Sequence, residues 1–150
     1  MSGTVTGSPV SLATLAQMVA DILLANNQII QSVTVNNLGL IASGEVDIPV
    51  DTTAYPVRPV SITLGAANTI MSIAVDGDPP SNGFISLLVW VIQDGTGIRT
   101  LTMPENSQWN GGFTPSLSTA PGATDLIQFL SKDGGATWIA AIAIQAAAPE

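Results

Sequence analysis

Near the carboxyl end of the chain, two apolar runs flank the tetrapeptide Lys132-Asp133-Gly134-Gly135. The runs, 125–130 and 136–142, carry Ile, Phe, Thr and Trp, residues that favour β-strands. Asp-Gly and Gly-Gly pairs supply the positive φ angles that a tight connection between strands requires. The segment therefore predicts a β-hairpin and commits this end of the chain to a β-sheet.

The chain between Gly44 and Ile144 alternates short apolar runs with turn-forming residues. No helical pattern lies between these runs, which excludes a parallel βαβ architecture. About eight strands at this spacing predict an antiparallel β-sandwich or a barrel. The run 84–92 is apolar on both faces, so a symmetry mate or the preceding helix should cover its second face. The predicted strands are 45–50, 57–64, 69–75, 84–92, 98–103, 108–113, 125–130 and 136–144.

The segment from Trp109 to Ile144 carries a longer pattern. It reads W-x-G-G-x-x-P-x-L-S-x-x-P-x-x-x-D, then an apolar strand, then D-G-G-x-T-W. This order resembles the closing segment of jelly-roll modules in bacteriophage tail fibres, head fibres and capsid decoration proteins. The resemblance covers about a quarter of the chain and implies a fold element rather than a chemistry. It makes a double-sheet jelly roll the expected form of the β domain.

Composition narrows the function classes. Only 9% of the residues are charged, and the basic ones, Arg58, Arg99 and Lys132, are scattered among eleven acidic ones. Binding of nucleic acid is not expected, because neutralising phosphates needs clustered Lys and Arg. The amino terminus lacks the basic and apolar regions of a secretory signal, and the longest apolar run is too short to span a bilayer. The sequence predicts a soluble protein that is made in the cytoplasm and has no membrane partner.

The chain contains neither histidine nor cysteine. The Ser-His-Asp and Cys-His arrangements of hydrolases and the usual zinc ligand sets therefore cannot be built. The acidic loop 76–83 begins like a calcium loop but departs from the EF-hand pattern at Pro80, Ser81 and Leu87. We expect no enzymatic activity, no metal and no cofactor.

The amino-terminal third divides into an arm and a helix. Residues 1–10 are small and polar and contain Gly and Pro, which predicts a flexible arm. Ser11 is a good N-cap, and residues 11–33 favour a helix. Apolar residues in this helix recur at spacings of three and four, as in the seam of a coiled coil. The predicted oligomerisation residues are Leu12, Leu15, Val19, Ile22, Asn26 and Ile29.

Two interpretations of this helix stay open. It joins copies of the chain in a trimeric bundle, or it packs its apolar face on the chain's own sheet. In a bundle, Asn26 would fix the register by meeting its symmetry mates. Otherwise Asn26 would mark the end of the helix. The arm, the helix and the jelly-roll-like β domain are assigned to residues 1–10, 11–33 and 44–150.

The resemblance implies two function classes. The first is a homotrimeric capsid decoration (cement) or head-fibre protein, synthesised in the host cytoplasm and located on the capsid surface of a virion. Its partner would be the major capsid protein. The contacts with the capsid are assigned to four residues of the arm, Thr4, Val5, Pro9 and Val10.

The second class is a receptor-binding or adaptor module of a tail fibre or baseplate that recognises a cell-surface glycan. Trp109, beside two glycines, is its candidate for stacking on a sugar ring, whereas Trp90 and Trp138 are expected to pack in the protein. The first class is favoured because a tail fibre needs a long shaft, which 150 residues do not provide. An unrelated β-sandwich binding protein is the remaining alternative.

Overall fold

The computed structural model describes residues 11–31, 34–53 and 57–146. The predicted arm, with Thr4, Val5, Pro9 and Val10, lies outside the described residues. The chain divides into two units, with the boundary between Val33 and Thr34. The helix belongs to the first unit and the strands to the second. The elements are α1 (Leu12–Gln31), β1 (Asn36–Ile41), β2 (Glu45–Asp51), β3 (Val60–Leu64), β4 (Asn68–Asp76), β5 (Ile85–Gln93), β6 (Thr100–Thr102), β7 (Ser107–Trp109), β8 (Thr124–Ser131) and β9 (Trp138–Gln145).

Helix α1 begins where the sequence predicts. The hydroxyl oxygen of Ser11 accepts a hydrogen bond from the backbone N–H of Thr14 (3.1 Å), which makes Ser11 the N-cap. The helix continues past Asn26 to Gln31, so Asn26 does not end it. The side chains of Ile22, Asn26 and Ile29 lie outside the described part of the chain, and their place in a seam stays a prediction.

The described chain is mainly β with one helix, as predicted. Each of the eight predicted strands overlaps an observed strand. A ninth strand, β1, precedes the expected start at Gly44, and its sequence Asn-Asn-Leu-Gly gives no strand signal because Asn and Gly are typical of turns.

The pairing of the strands differs from the predicted antiparallel jelly roll. β1, β3 and β5 pair in parallel in one sheet, and β2, β4 and β6 pair in parallel in a second sheet. Consecutive strands alternate between the two sheets, so the chain returns to each sheet running in the same direction and winds as a coil. Val60 lies beside Asn36, 24 residues earlier, and Val89 lies beside Val60, 29 residues earlier. The result is a short stack of coils like that of a β-solenoid.

β8 and β9 form the predicted hairpin and extend the larger sheet. β8 pairs antiparallel with β5 and with β9, and β7 pairs in parallel with β9. Gly134 and Gly135 have φ angles of 70° and 94°, which confirms the predicted turn. The strand order is β1-β3-β5-β8-β9-β7 in the larger sheet and β2-β4-β6 in the smaller one.

One apolar core fills the space between the two sheets. Its members alternate along the strands with residues that point outward, as the pleat of a strand requires. Phe129 and Trp138 are its largest fully buried side chains. The core comprises Val46, Ile48, Val50, Val60, Ile62, Leu64, Met71, Ile85, Leu87, Val89, Val91, Met103, Ile127, Phe129, Trp138 and Ala140.

Candidate interaction surfaces

The first surface is an apolar stripe on helix α1. Leu12, Leu15 and Val19 recur at helical spacing and line one side of the helix together with Ala16 and Ala20. Their exposed fractions are 86%, 51% and 48% for the three larger side chains. No side chain from residue 11 to residue 21 is buried. Among the described residues of its own unit, nothing covers the apolar surface of this stripe.

The second surface is the outer side of the larger sheet. Leu87, Val89 and Val91 of β5 point into the core, so the residues between them point away from it. The same alternation on β8 and β9 places further apolar side chains on this outer side, and Ile139 and Ile144 there are 54% and 51% exposed. Leu126 on this side is buried (8% exposed), and the others on β5 and β8 are half-buried. We call this surface the apolar sheet face, and it consists of Leu88, Trp90, Ile92, Leu126, Leu130, Ile139 and Ile144.

Strand register arranges the apolar sheet face in rows. Trp90 lies beside Leu126, which lies beside Ile144, so the three form one row across β5, β8 and β9. Leu130 lies beside Ile139 in a second row. Side chains directly opposite on neighbouring strands are close enough to contact one another. The sequence expectation that β5 is apolar on both faces is confirmed.

The outer side of the smaller sheet is acidic. Glu45, Asp47 and Asp51 alternate along β2 with buried residues, and Asp76 lies beside Asp51 on β4. The hydroxyl of Ser72 donates a hydrogen bond to the carboxylate of Asp47. The two sheets therefore present outer sides of opposite character, one apolar and one negatively charged.

The tryptophans are placed differently from the sequence expectation. Trp90 was expected in the core but lies on the apolar sheet face, where it is partly exposed. Trp138 is fully buried, as expected. Trp109 is half-buried, and its ring meets Phe129 edge to face with centroids 6.1 Å apart. Part of the Trp109 surface thus packs on the core, and its contact with a glycan stays a prediction.

The long sequence pattern before the hairpin holds a loop in place. The buried carboxylate of Asp125 accepts hydrogen bonds from the backbone N–H and the hydroxyl of Ser118, both at 2.7 Å. It also accepts one from the backbone N–H of Ala146 at 3.1 Å. Leu117, next to Ser118, packs against the core. Asp125 therefore ties the loop before β8 to the end of β9, which is a structural role.

Asp133 holds the turn between β8 and β9. Its carboxylate accepts hydrogen bonds from the hydroxyl (2.6 Å) and the backbone N–H (2.9 Å) of Thr137 and from the hydroxyl of Ser131 (2.7 Å). These bonds favour the ionised form and lower the pKa of Asp133 from 3.8 to about 2. The pattern D-G-G-x-T-W thus unites the carboxylate, the two glycines and the hydroxyl that shape this turn.

We expect Asp133→Asn to weaken the acid dependence of stability. The pKa of Asp133 is lower in the folded chain, so its contribution is complete above the unfolded pKa of about 3.9 and is lost as the pH falls towards 2. Melting temperatures between pH 7 and pH 2 should show a lower plateau for the variant and a smaller decline below pH 4. Asp78→Asn, in an exposed loop, serves as the control. A variant curve parallel to that of the wild type would contradict the role of Asp133.

The described residues contain no cluster of acidic side chains that could hold a metal ion. None of their helices is long and apolar enough to cross a bilayer. Comparison with protein-family models, with curated proteins and with solved structures finds no match for this chain.

Proposed function

We propose that this chain is a structural virion protein, a capsid decoration (cement) or head-fibre protein that binds the capsid surface as a homotrimer. The observation that carries the proposal is the apolar stripe of α1, which is exposed along the part of the helix whose side chains are described. Helices in proteins are stabilised mostly by packing of their apolar side, and α1 has such a side along its described part. The stripe therefore needs a second surface, supplied by other copies and by the major capsid protein.

The β unit supports the proposal by its chemistry. The chain has no histidine and no cysteine, and the described residues offer no metal cluster. An apolar core packed between two sheets suits a module that is displayed on a shell. Three arms on a trimer could meet equivalent capsid sites at once, and such multivalent attachment is much tighter than attachment through one arm. The arm residues Thr4, Val5, Pro9 and Val10 are the proposed capsid contacts.

The stripe can be tested with two variants of one helix. Leu15→Asp places a charge in the stripe, whereas Gln17→Asp places the same charge on the opposite side of α1, where Gln17 is also exposed. Both changes carry a similar helix-propensity cost. We expect wild type and Gln17→Asp to sediment at about three times the 15.3 kDa chain mass and to bind purified capsids. Leu15→Asp should sediment as a monomer and bind capsids at least tenfold more weakly.

Three outcomes would count against the proposal. Full capsid occupancy by Leu15→Asp would show that the stripe does not attach the protein. A wild-type protein that sediments as a monomer would contradict the proposed trimer. Labelling of tails instead of heads in purified virions, together with binding to host cells, would favour the tail-fibre or baseplate module that recognises a glycan.

A further inference from the structure

The apolar sheet face has the layout of a protein interface. Its residues on β5, β8 and β9 are apolar except Gln128, which lies between Leu88 and Ala141. The outward residues around them are uncharged polar ones such as Ser61, Thr63 and Gln108. An apolar centre with a polar rim is typical of interfaces between proteins. We propose that this face is where the β units of separate copies of the chain meet, an inference that rests on the proposed homo-oligomer and names its contact surface.

The charge distribution favours a second copy as the occupant. The chain has a formal net charge of −8, so identical copies repel one another wherever acidic surfaces approach. The outer side of the smaller sheet carries Glu45, Asp47, Asp51 and Asp76 and is therefore unsuited to contact with itself. The strand residues on the outer side of the larger sheet are all uncharged. Among the described sheet surfaces, this side is the one on which like copies can pack without placing carboxylates together.

The edges of the sheets disfavour association by strand addition. β2, at one edge of the smaller sheet, contains Pro49, which has no backbone N–H to donate. β6 and β7, at two further edges, have three residues each. β1, at the remaining edge, has a shifted register between Asn37 and Leu40. Copies that associate through the β unit are therefore expected to use a face and not an edge.

The size of the whole outer side of the larger sheet suits contact with another β unit. Its six strands, three to nine residues long and about 4.8 Å apart, form a side of roughly 600 Å². Stable interfaces bury about 800 Å² on each partner. The apolar sheet face covers β5, β8 and β9 of this side, and the uncharged residues of the neighbouring strands supply the rest.

The absence of cysteine allows a direct test in the full-length chain. Ser86→Cys puts a thiol on the outer side of β5, on the same strand as Leu88. Ala74→Cys puts a thiol on the outer side of β4, which belongs to the acidic outer side of the smaller sheet. Both native residues are exposed in the single chain. We expect a maleimide to react with Ser86→Cys at least tenfold more slowly at assembling concentrations than after dilution below the dissociation constant. The rate for Ala74→Cys should not change on dilution, because its thiol lies outside the proposed contact.

A second pair of variants tests the same face by its effect on mass. Ile139 lies on the apolar sheet face and is 54% exposed, whereas Ile70 lies on the outer side of the smaller sheet and is 51% exposed. Each is replaced with lysine. We expect Ile139→Lys to raise the dissociation constant of the assembly at least tenfold in analytical ultracentrifugation. Ile70→Lys, which lies beside Glu45, should leave it unchanged. If Ile139→Lys does not fold, the alkylation rates of the cysteine variants test the proposed contact.

The outcomes separate this inference from the proposed homo-oligomer. A Ser86→Cys rate that is the same in the trimer and after its dilution to single chains would overturn the inference and leave the trimer intact. A protein that sediments as a monomer at every concentration would overturn both, whatever its alkylation rates.

Discussion

Replacing Phe129 with alanine is expected to lower the free energy of unfolding by about 3–5 kcal/mol, the usual cost of removing a buried aromatic ring. Phe129 is fully buried on β8, and its ring contacts two tryptophans edge to face. Trp109 lies on one side with centroids 6.1 Å apart, and Trp138 lies on another at 6.4 Å. Three strands of the larger sheet supply these rings, so the cavity would weaken several contacts at once.

Urea denaturation measures this change, and the chain supplies its own control. Phe113 is 82% exposed, so Phe113→Ala removes the same ring without a cavity and should change stability by less than about 0.5 kcal/mol. Tryptophan fluorescence should also report loosening around Trp109 and Trp138 in Phe129→Ala. Equal losses in the two variants would show that Phe129 does not hold the core.

Alanine at Gly134 or Gly135 is expected to destabilise the protein by about 2–4 kcal/mol, because two costs combine there. Both glycines have positive φ, which an alanine adopts only with strain. A Cβ at Gly134 would also lie 2.7 Å from the carbonyl oxygen of Pro80, and one at Gly135 would lie 2.6 Å from Cγ2 of Val75. The turn thus packs closely against neighbouring segments.

Two further glycines separate strain from crowding. Gly112 has a φ of 75° but open space around its Cβ position, so Gly112→Ala should cost about 1 kcal/mol from strain alone. Gly95 has neither constraint, and Gly95→Ala should change stability by less than about 0.5 kcal/mol. From highest to lowest, the expected order of melting temperatures is Gly95→Ala, Gly112→Ala, and then the variants at Gly134 and Gly135. Wild-type melting of Gly134→Ala and Gly135→Ala would contradict the role of this turn.

Local signals predicted the elements well. Ser11 as an N-cap, the strands that alternate apolar and polar residues, and the Gly134-Gly135 turn each depend on neighbouring residues, and the structure contains all three. The apolarity of both faces of β5 was also visible, because it is a property of one strand.

The pairing of the strands could not be predicted from such local signals. Alternation tells which side of a strand is buried, but a coil and an antiparallel sandwich bury the same side. One signal could have distinguished them. Ile48-Pro49-Val50-Asp51 and Ile73-Ala74-Val75-Asp76 share the pattern I-x-V-D at a separation of 25 residues, and they lie side by side in register. A repeat at that period is typical of stacked coils.

Trp90 was misplaced for a related reason. An aromatic residue in the most apolar strand is usually buried, but every second position of β5 must point out of the core. Which set points outward depends on the pairing of β5 with β3 and β8. The apolar sheet face could therefore be recognised as a surface only after the sheet order was known.

Because β1 to β6 form stacked coils, the β unit can change length by one coil at a time. Each coil of β1 to β6 pairs only with the coils next to it, and corresponding strands are about 4.8 Å apart. Insertion of one more coil of about 25 residues would lengthen the stack by that distance. The hairpin of β8 and β9 at one side and the first coil at the other could keep their own contacts. Relatives of this protein could thus differ in the reach of the β unit while retaining the same terminal structures.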